Sequence, residues 1–309
     1  MSTTDAPEAS AHTVRNGLMW AMLGVLLFSF SLPLTKVAVG GFNPFFTAMG
    51  RAVIAGTLAT VVLLVRRVPI PPRQYLRPLF FTMLGAVFGW AILLALALQR
   101  TTSAHAAVIA AFMPLTTAAI AVRRAHEHVS GQFWVAAMTG TAALVVFALS
   151  RGGASGGDPV ADLLVVGAVL ASSWCYVEGA VVTRVFPGWQ VISWVVVLAL
   201  PVTVPASIAL WVTTSGEYET TGAQWASLIM LGLSSMYLAF FAWYRGLATA
   251  GIAHASQTQQ LQPLLTLVWS ALLLGEVVTV GTVTAALVVI GSVSWALRSR
   301  PPLTVAPEE

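Results

Sequence analysis

The chain has 309 residues, 58% of them hydrophobic and 8% charged, a formal net charge of +4 and a mean hydropathy of +0.85. A water-soluble domain carries about 25% charged side chains to wet its surface, so a soluble enzyme, a nucleic-acid binder and a disordered regulator are excluded, and lipid is the solvent that tolerates this composition. The charge comes from 14 Arg and one Lys and bears on topology, while the single Cys175 supports neither an intramolecular disulfide nor a thiol metal site.

Residues 1–16 are polar and read as a disordered cytoplasmic tail, without the basic-then-short-apolar pattern that precedes a cleavage site. Beyond them, apolar stretches recur at the length a helix needs to cross a hydrocarbon core, about 20 residues. Ten such helices are expected, at 18–39, 44–65, 79–98, 103–122, 133–149, 163–185, 191–212, 225–247, 253–274 and 278–297. Turn and charge signals such as "GGFNP", "RRVPIPPRQ", "RGGASGGDP" and "TTSGEYETTG" separate them, and residues 299–309 form a second cytoplasmic tail. The expectation is an all-α membrane protein.

Basic residues accumulate on the cytoplasmic side of membrane proteins. With both termini inside, the inner segments hold Arg15, Arg66, Arg67, Arg73, Arg77, Arg123, Arg124, Arg184, Arg245, Arg298 and Arg300, against Lys36, Arg100 and Arg151 outside. Arg51 lies within the second helix. Eleven against three places both ends in the cytoplasm.

The fourth and ninth helices contain "SAHAAVIAAFMPLTTA" and "IAHASQTQQLQPLLTL". Setting Pro114 on Pro263 gives an offset of 149 that also pairs His105 with His254, Thr117 with Thr266 and Glu127 with Glu276. His, Pro and Glu are scarce here, so their joint coincidence points to duplication, with units at 17–150 and 159–298. Five helices is an odd number, so the second unit enters the membrane from the opposite side. Inverted repeats provide nearly equivalent inward-open and outward-open arrangements, the geometry of alternating access, although channels also show them.

The stretches "FSFSLPLTKVAV", "NPFFTAMGRAVIAG", "ALQRTTSAHAAVIAAFMPL", "SWCYVEGAVVTR" and "FFAWYRGLATAGIAHASQTQQLQPLLTLVWSALLLGE" resemble the drug/metabolite transporter superfamily, and within it the EamA-type proteins. The resemblance covers nearly the whole chain. It implies two inverted five-helix units around a central cavity, and transport, usually export, of amino acids, metabolites or drugs. Gln257, Gln259, Gln262, Pro263 and Glu276 match positions of this branch, whereas Gln260 stands where an apolar residue is more usual. An Arg at the position of Arg51 is also part of the resemblance, which implies a fold-level role such as binding backbone carbonyls.

Polar side chains inside lipid are costly and mark partners or pathways. On the ninth helix, His254, Gln257 and Gln260 share one stripe and Gln259 and Gln262 lie nearly opposite. Gln257 and Gln260 are candidate substrate contacts; hydrogen bonding between helices is the alternative for any of these amides. His105 and His254 lie near helix ends and read as interfacial.

Glu178 is the carboxylate well inside a helix and the candidate for proton coupling or substrate contact, with an ion pair to Arg51 as the alternative. Trp174, one turn earlier, shares its face. Tyr237, Phe241 and Tyr244 recur at i, i+4 and i+7, and Trp20, Trp90, Trp174 and Tyr176 sit on helices expected to border the cavity. The substrate-binding candidates are therefore Trp174, Tyr176, Glu178, Tyr237, Tyr244, Gln257 and Gln260. Pro33, Pro114, Pro201, Pro205 and Pro263 are expected to interrupt their helices, with the repeat-related Pro114 and Pro263 as hinge candidates.

The chain lacks "GxxxxGK", "HExxH", "GxSxG" and "CxxC", and His126 and His128 beside Glu127 read as a surface loop. No cofactor, metal or nucleic-acid partner is expected; the partners are a small-molecule solute and membrane lipid, with the chain a homodimer or a monomer. The function expected is secondary transport, in the export direction, of a small amino-acid-like, metabolite or drug-like solute across a bacterial inner membrane. Aromatic or hydrophobic amino acids suit the rings. An intramembrane enzyme acting on lipid-linked substrates and a channel are the competing readings.

Overall fold

The computed structural model describes residues 5–125, 158–183, 185–250 and 258–298, with seven further positions between 131 and 142. The described residues are helical, with no strand among them. Six helical segments are long and apolar enough to cross a membrane: Arg15–Val39, Pro44–Val65, Arg73–Arg100, Pro159–Ala180, Gly188–Thr214 and Gly222–Thr249. Ser103–Thr117 and Val280–Ser292 are shorter apolar segments. The helix expected at 133–149 falls mainly outside the described residues, as does the start of the one expected at 253.

Helix α1, Asp5–Ser29, begins earlier than the apolar pattern. Residues 5–16 of the expected disordered tail are part of this helix. The expected 18–39 helix is divided, α2 covering Ser31–Val39. Pro33 lacks an N–H, and its ring conflicts with the carbonyl four residues back. That carbonyl, of Ser29, accepts instead from Thr266 Oγ1 at 3.0 Å.

Helix α3, Pro44–Val65, starts at Asn43, whose side chain accepts from Phe45 N at 2.9 Å, with Pro44 at the favoured first position. Helix α4, Arg73–Met83, continues through a π-helical stretch, Leu84–Trp90, into α5, Ala91–Arg100. Thr102 caps α6, Ser103–Ala110, which breaks at Ala111–Phe112 before α7, Met113–Ala125.

Helix α8, Pro159–Thr183, is capped by Asp158, whose Oδ1 accepts from Val160 N at 2.9 Å. Helix α9, Gly188–Thr214, passes through Pro201 and Pro205 without a break, contrary to the expectation for those two residues. Helix α10, Gly222–Met230, opens on a Thr221/Gln224 capping box and runs through a second π-helical stretch, Leu231–Leu238, into α11, Ala239–Ala250. A single 3₁₀ turn, Gln259–Leu261, precedes α12, Gln262–Leu274, and α13 is Val280–Arg298.

Close packing rests on small residues, as expected where lipid removes the hydrophobic drive between helices. A Cβ at Gly24 of α1 would lie 2.8 Å from Trp243 N, and one at Gly246 of α11 would lie 2.5 Å from Ala21 N, so these two backbones touch. Leu64, Val65, Leu163, Val212 and Leu272 project from the bundle as an apolar outer face.

Helix directions follow from the contacts at one end of the bundle. Segment α1–α2 finishes there, where Lys36 Nζ donates to the Leu98 and Thr101 carbonyls at 2.7 and 2.8 Å. Helix α8 begins there, where Arg100 Nη1 meets Asp158 Oδ2 at 3.0 Å. Helix α8 therefore runs opposite to segment α1–α2.

Candidate functional site: a central cavity between broken helices

Four irregular stretches meet at the middle of the bundle. The break at Ala111–Phe112 and the 3₁₀ turn at Gln259–Leu261 precede Pro114 and Pro263, each the second residue of the helix that follows. The two π-helical stretches both open on Leu-Gly, at Leu84–Gly85 and Leu231–Gly232. Wide π turns and prolines release backbone groups from the regular ladder, and in membrane proteins such backbone occurs where protein or a cavity compensates.

A narrow cavity lies between them, walled by Ala86 and Trp90 from one π stretch and Ser235 and Met236 from the other. Phe28, Tyr176 and Phe240 form a ring cluster on its wall, with the Phe28 and Phe240 centroids 4.9 Å apart and perpendicular. A second, smaller space shares Met113 and Gln262 with the first and extends to Gln259, Pro263 and Thr266.

The polar lining is sparse. Arg51 of α3, only 2% exposed, donates from Nη2 to Ser235 Oγ at 2.7 Å, while its Nε and Nη1 find no acceptor among the described residues. Ser31 Oγ and Gln262 Oε1 are likewise buried without a described partner. The Tyr176 hydroxyl is in hydrogen-bonding reach of Ser172 and Gln259.

At the Lys36 end the two halves are tied together. Glu276 Oε1 and Oε2 accept from Ser103 N at 2.9 Å and Ala104 N at 2.8 Å, the first two amides of α6. Ser103 Oγ and Ser270 Oγ lie 2.8 Å apart, and His105 Nε2 lies 2.7 Å from Asp162 Oδ1. Gly275, left-handed at φ 63°, ends α12 and turns the chain so that Glu276 N donates back to Ser270 O at 3.2 Å. Outside the membrane spans, the Arg100 guanidinium hydrogen-bonded to Asp158 holds its carboxyl below the usual carboxylate value.

The sequence candidates are distributed unevenly over this geometry. Tyr176 lines the cavity. Tyr237 is buried with its hydroxyl 2.8 Å from Ser193 Oγ, and Tyr244 is buried beside Gly179, both away from the lining. Trp174 is 41% exposed at the bundle surface, although it lies one turn from the buried Glu178. Glu178 is 3% exposed and engaged, but not on the lining, and Arg51 bonds Ser235 in place of the ion pair or carbonyl contacts considered for it.

Gln257, with His254, lies outside the described residues, and Gln260 accepts from Ser294 Oγ on α13. The cavity takes the opposite amides, Gln259 and Gln262. Sequence reading named neither Ser31 nor Phe240 as a cavity residue, favoured Gln257 and Gln260 over Gln259 and Gln262, and gave Arg51 a fold role. The available signals were Pro33, which marks the break beside Ser31, and an Arg in mid-membrane.

Comparison with known proteins agrees with this architecture. The family model described as EamA-like transporter family matches twice, over residues 15–149 and 159–298. The chain belongs to the EamA-like transporter family. The Bacillus subtilis (strain 168) protein named Uncharacterized transporter YdeK is 39% identical over 284 residues, spanning 92% of this chain and 97% of its own. A solved crystal structure superposes with a TM-score of 0.65 at 19% identity, covering 91% of this chain and 97% of that one, a likeness of fold. Family and relative point to a membrane transporter and not to an enzyme.

Proposed function

We propose that this EamA-family chain is a secondary carrier that exports a small, partly apolar solute across a bacterial inner membrane, by alternating access between two inverted halves. The observation that carries the reading is the pairing of helix interruptions, at Pro114 and Pro263, beside a cavity to which both halves contribute. Polar ties between the halves concentrate at the Glu276 end, which the distribution of basic residues makes the outer one, with both termini in the cytoplasm. Such a lock is what a carrier releases to open outward. The ring cluster of Phe28, Tyr176 and Phe240 suits a hydrophobic or aromatic amino-acid-like solute.

Coupling to protons falls to Glu178, a carboxylate buried within a membrane-spanning helix. The test is counterflow of labelled amino acids into liposomes holding the purified chain, with and without a pH gradient. Saturable counterflow supports a carrier, and linear, non-saturating flux would replace it with a channel. Glu178→Gln is expected to remove the response to the pH gradient while leaving solute binding measurable. An unchanged response would take coupling away from Glu178.

A further inference from the structure

A guanidinium withdrawn from water is costly unless anions or acceptors surround it. Arg51 has a single described acceptor, the Ser235 hydroxyl, and two nitrogens facing none, yet it lies on the wall of a cavity. No other described residue lining either space carries a charge. One fixed positive charge, with donors left over, is half of a binding site.

We propose that Arg51 is the anion-recognition residue of the central cavity, receiving the carboxylate of a small monoanionic or zwitterionic solute with an apolar body. This deepens the carrier reading and rests on it for the word solute. The donors are Arg51 Nε and Nη1 with the Ser31 hydroxyl, each buried and without a described partner. One cationic side chain balances one negative charge, which fits a carboxylate and leaves a phosphate dianion undercompensated. Gln262 Oε1, the buried acceptor on the same lining, takes an N–H of the solute, and Phe28, Trp90, Tyr176 and Phe240 enclose its apolar part. The sequence placed substrate contact on aromatic and amide side chains and on Glu178, and gave Arg51 to the fold; the orphaned nitrogens transfer the specificity to Arg51.

The test compares matched probes on the unaltered full-length chain in detergent, followed by quenching of tryptophan fluorescence. The probes are L-phenylalanine, 3-phenylpropionate, which lacks the amine, L-phenylalaninamide, which lacks the carboxylate, and inorganic phosphate. Both acids are expected to bind saturably and the amide at least about tenfold more weakly, the loss of one charge-assisted contact. Arg51→Gln should erase the preference for acid over amide, Arg51→Lys should retain part of it, and Gln262→Leu should erase the preference for phenylalanine over 3-phenylpropionate.

Equal affinity of acid and amide on the unaltered chain would overturn the proposal whether or not the Arg51 variants fold. So would displacement of the acids by equimolar phosphate, or failure of both acids to bind. Counterflow separates the two readings. Acid binding without counterflow removes the carrier and keeps the site, whereas undiminished counterflow of the amide keeps the carrier and removes the site.

Discussion

Glu276 is the most informative single residue at the end of the bundle where the halves are tied. Its two oxygens accept at 2.9 and 2.8 Å from the opening amides of α6, which belongs to the other half of the chain. Hydrogen bonds to an ionised group are worth roughly 1.5–3 kcal/mol and neutral ones roughly 0.5–1.5 kcal/mol. A carboxylate at a helix N-terminus gains roughly 0.3–1 kcal/mol more from the dipole. Glu276→Gln keeps one acceptor oxygen, turns an NH₂ toward a backbone N–H and removes the charge. Allowing for its partial exposure, the contact weakens by roughly 2–4 kcal/mol, a shift of about 30- to 700-fold toward separation at this end.

The assay uses Ser270, fully buried and 2.8 Å from Ser103 Oγ across the same junction. In a Cys175→Ala background, which removes the only native thiol, Ser270→Cys provides a single reporter. Its labelling by a water-soluble maleimide should be slow with Glu276 present and should accelerate at least about tenfold in the Glu276→Gln protein, with elution volume unchanged. Equal labelling rates would refute the reasoning: the carboxylate would then be a local helix cap with no hold on the junction.

Two further outcomes test the packing and the electrostatics. Gly246→Ala forces a methyl to within 2.5 Å of Ala21 N and should lower the thermal midpoint in detergent, at a cost of roughly 1–3 kcal/mol. Gly291→Ala meets nothing within 4 Å and should leave the midpoint unchanged or raise it, so similar losses in both would contradict the α1–α11 contact. The Asp158 carboxyl is depressed by Arg100, so its contribution is complete above its unfolded pKa of about 3.9 and disappears as pH falls through the lower folded value. The midpoints of the unaltered and Asp158→Asn proteins should therefore differ at pH 7 and begin to converge as pH falls below about 4; a constant difference would remove the ion pair from the account.

Much of this architecture was legible because lipid leaves a helix few alternatives. Once the apolar stretches around Pro44–Val65 and Gly188–Thr214 must satisfy every N–H and C=O internally, their length and state follow from composition. The paired positions of Pro114 and Pro263 were equally readable, since an offset of 149 is arithmetic on scarce residues. Proline's effect was less uniform: Pro33 coincides with a break whose freed carbonyl accepts from the Thr266 hydroxyl, while Pro201 and Pro205 sit inside an unbroken helix. The two π-helical stretches carried no signal beyond a shared Leu-Gly.

Sequence alone determined that this chain lies in a membrane, that it is helical and that its halves are related, because each of these depends on the solvent and on local periodicity. It also showed that Gln257 and Gln260 oppose Gln259 and Gln262 on their helix. Which stripe meets the cavity was decided only by tertiary structure, because the rotation of a helix about its own axis is set by its neighbours. Ser294 on α13 engages Gln260, and the space between the π stretches receives Gln262. The same dependence makes Arg51 a cavity residue: a sequence shows that a charge is inside the membrane, but only packing shows that two of its nitrogens are buried without an acceptor among the described residues.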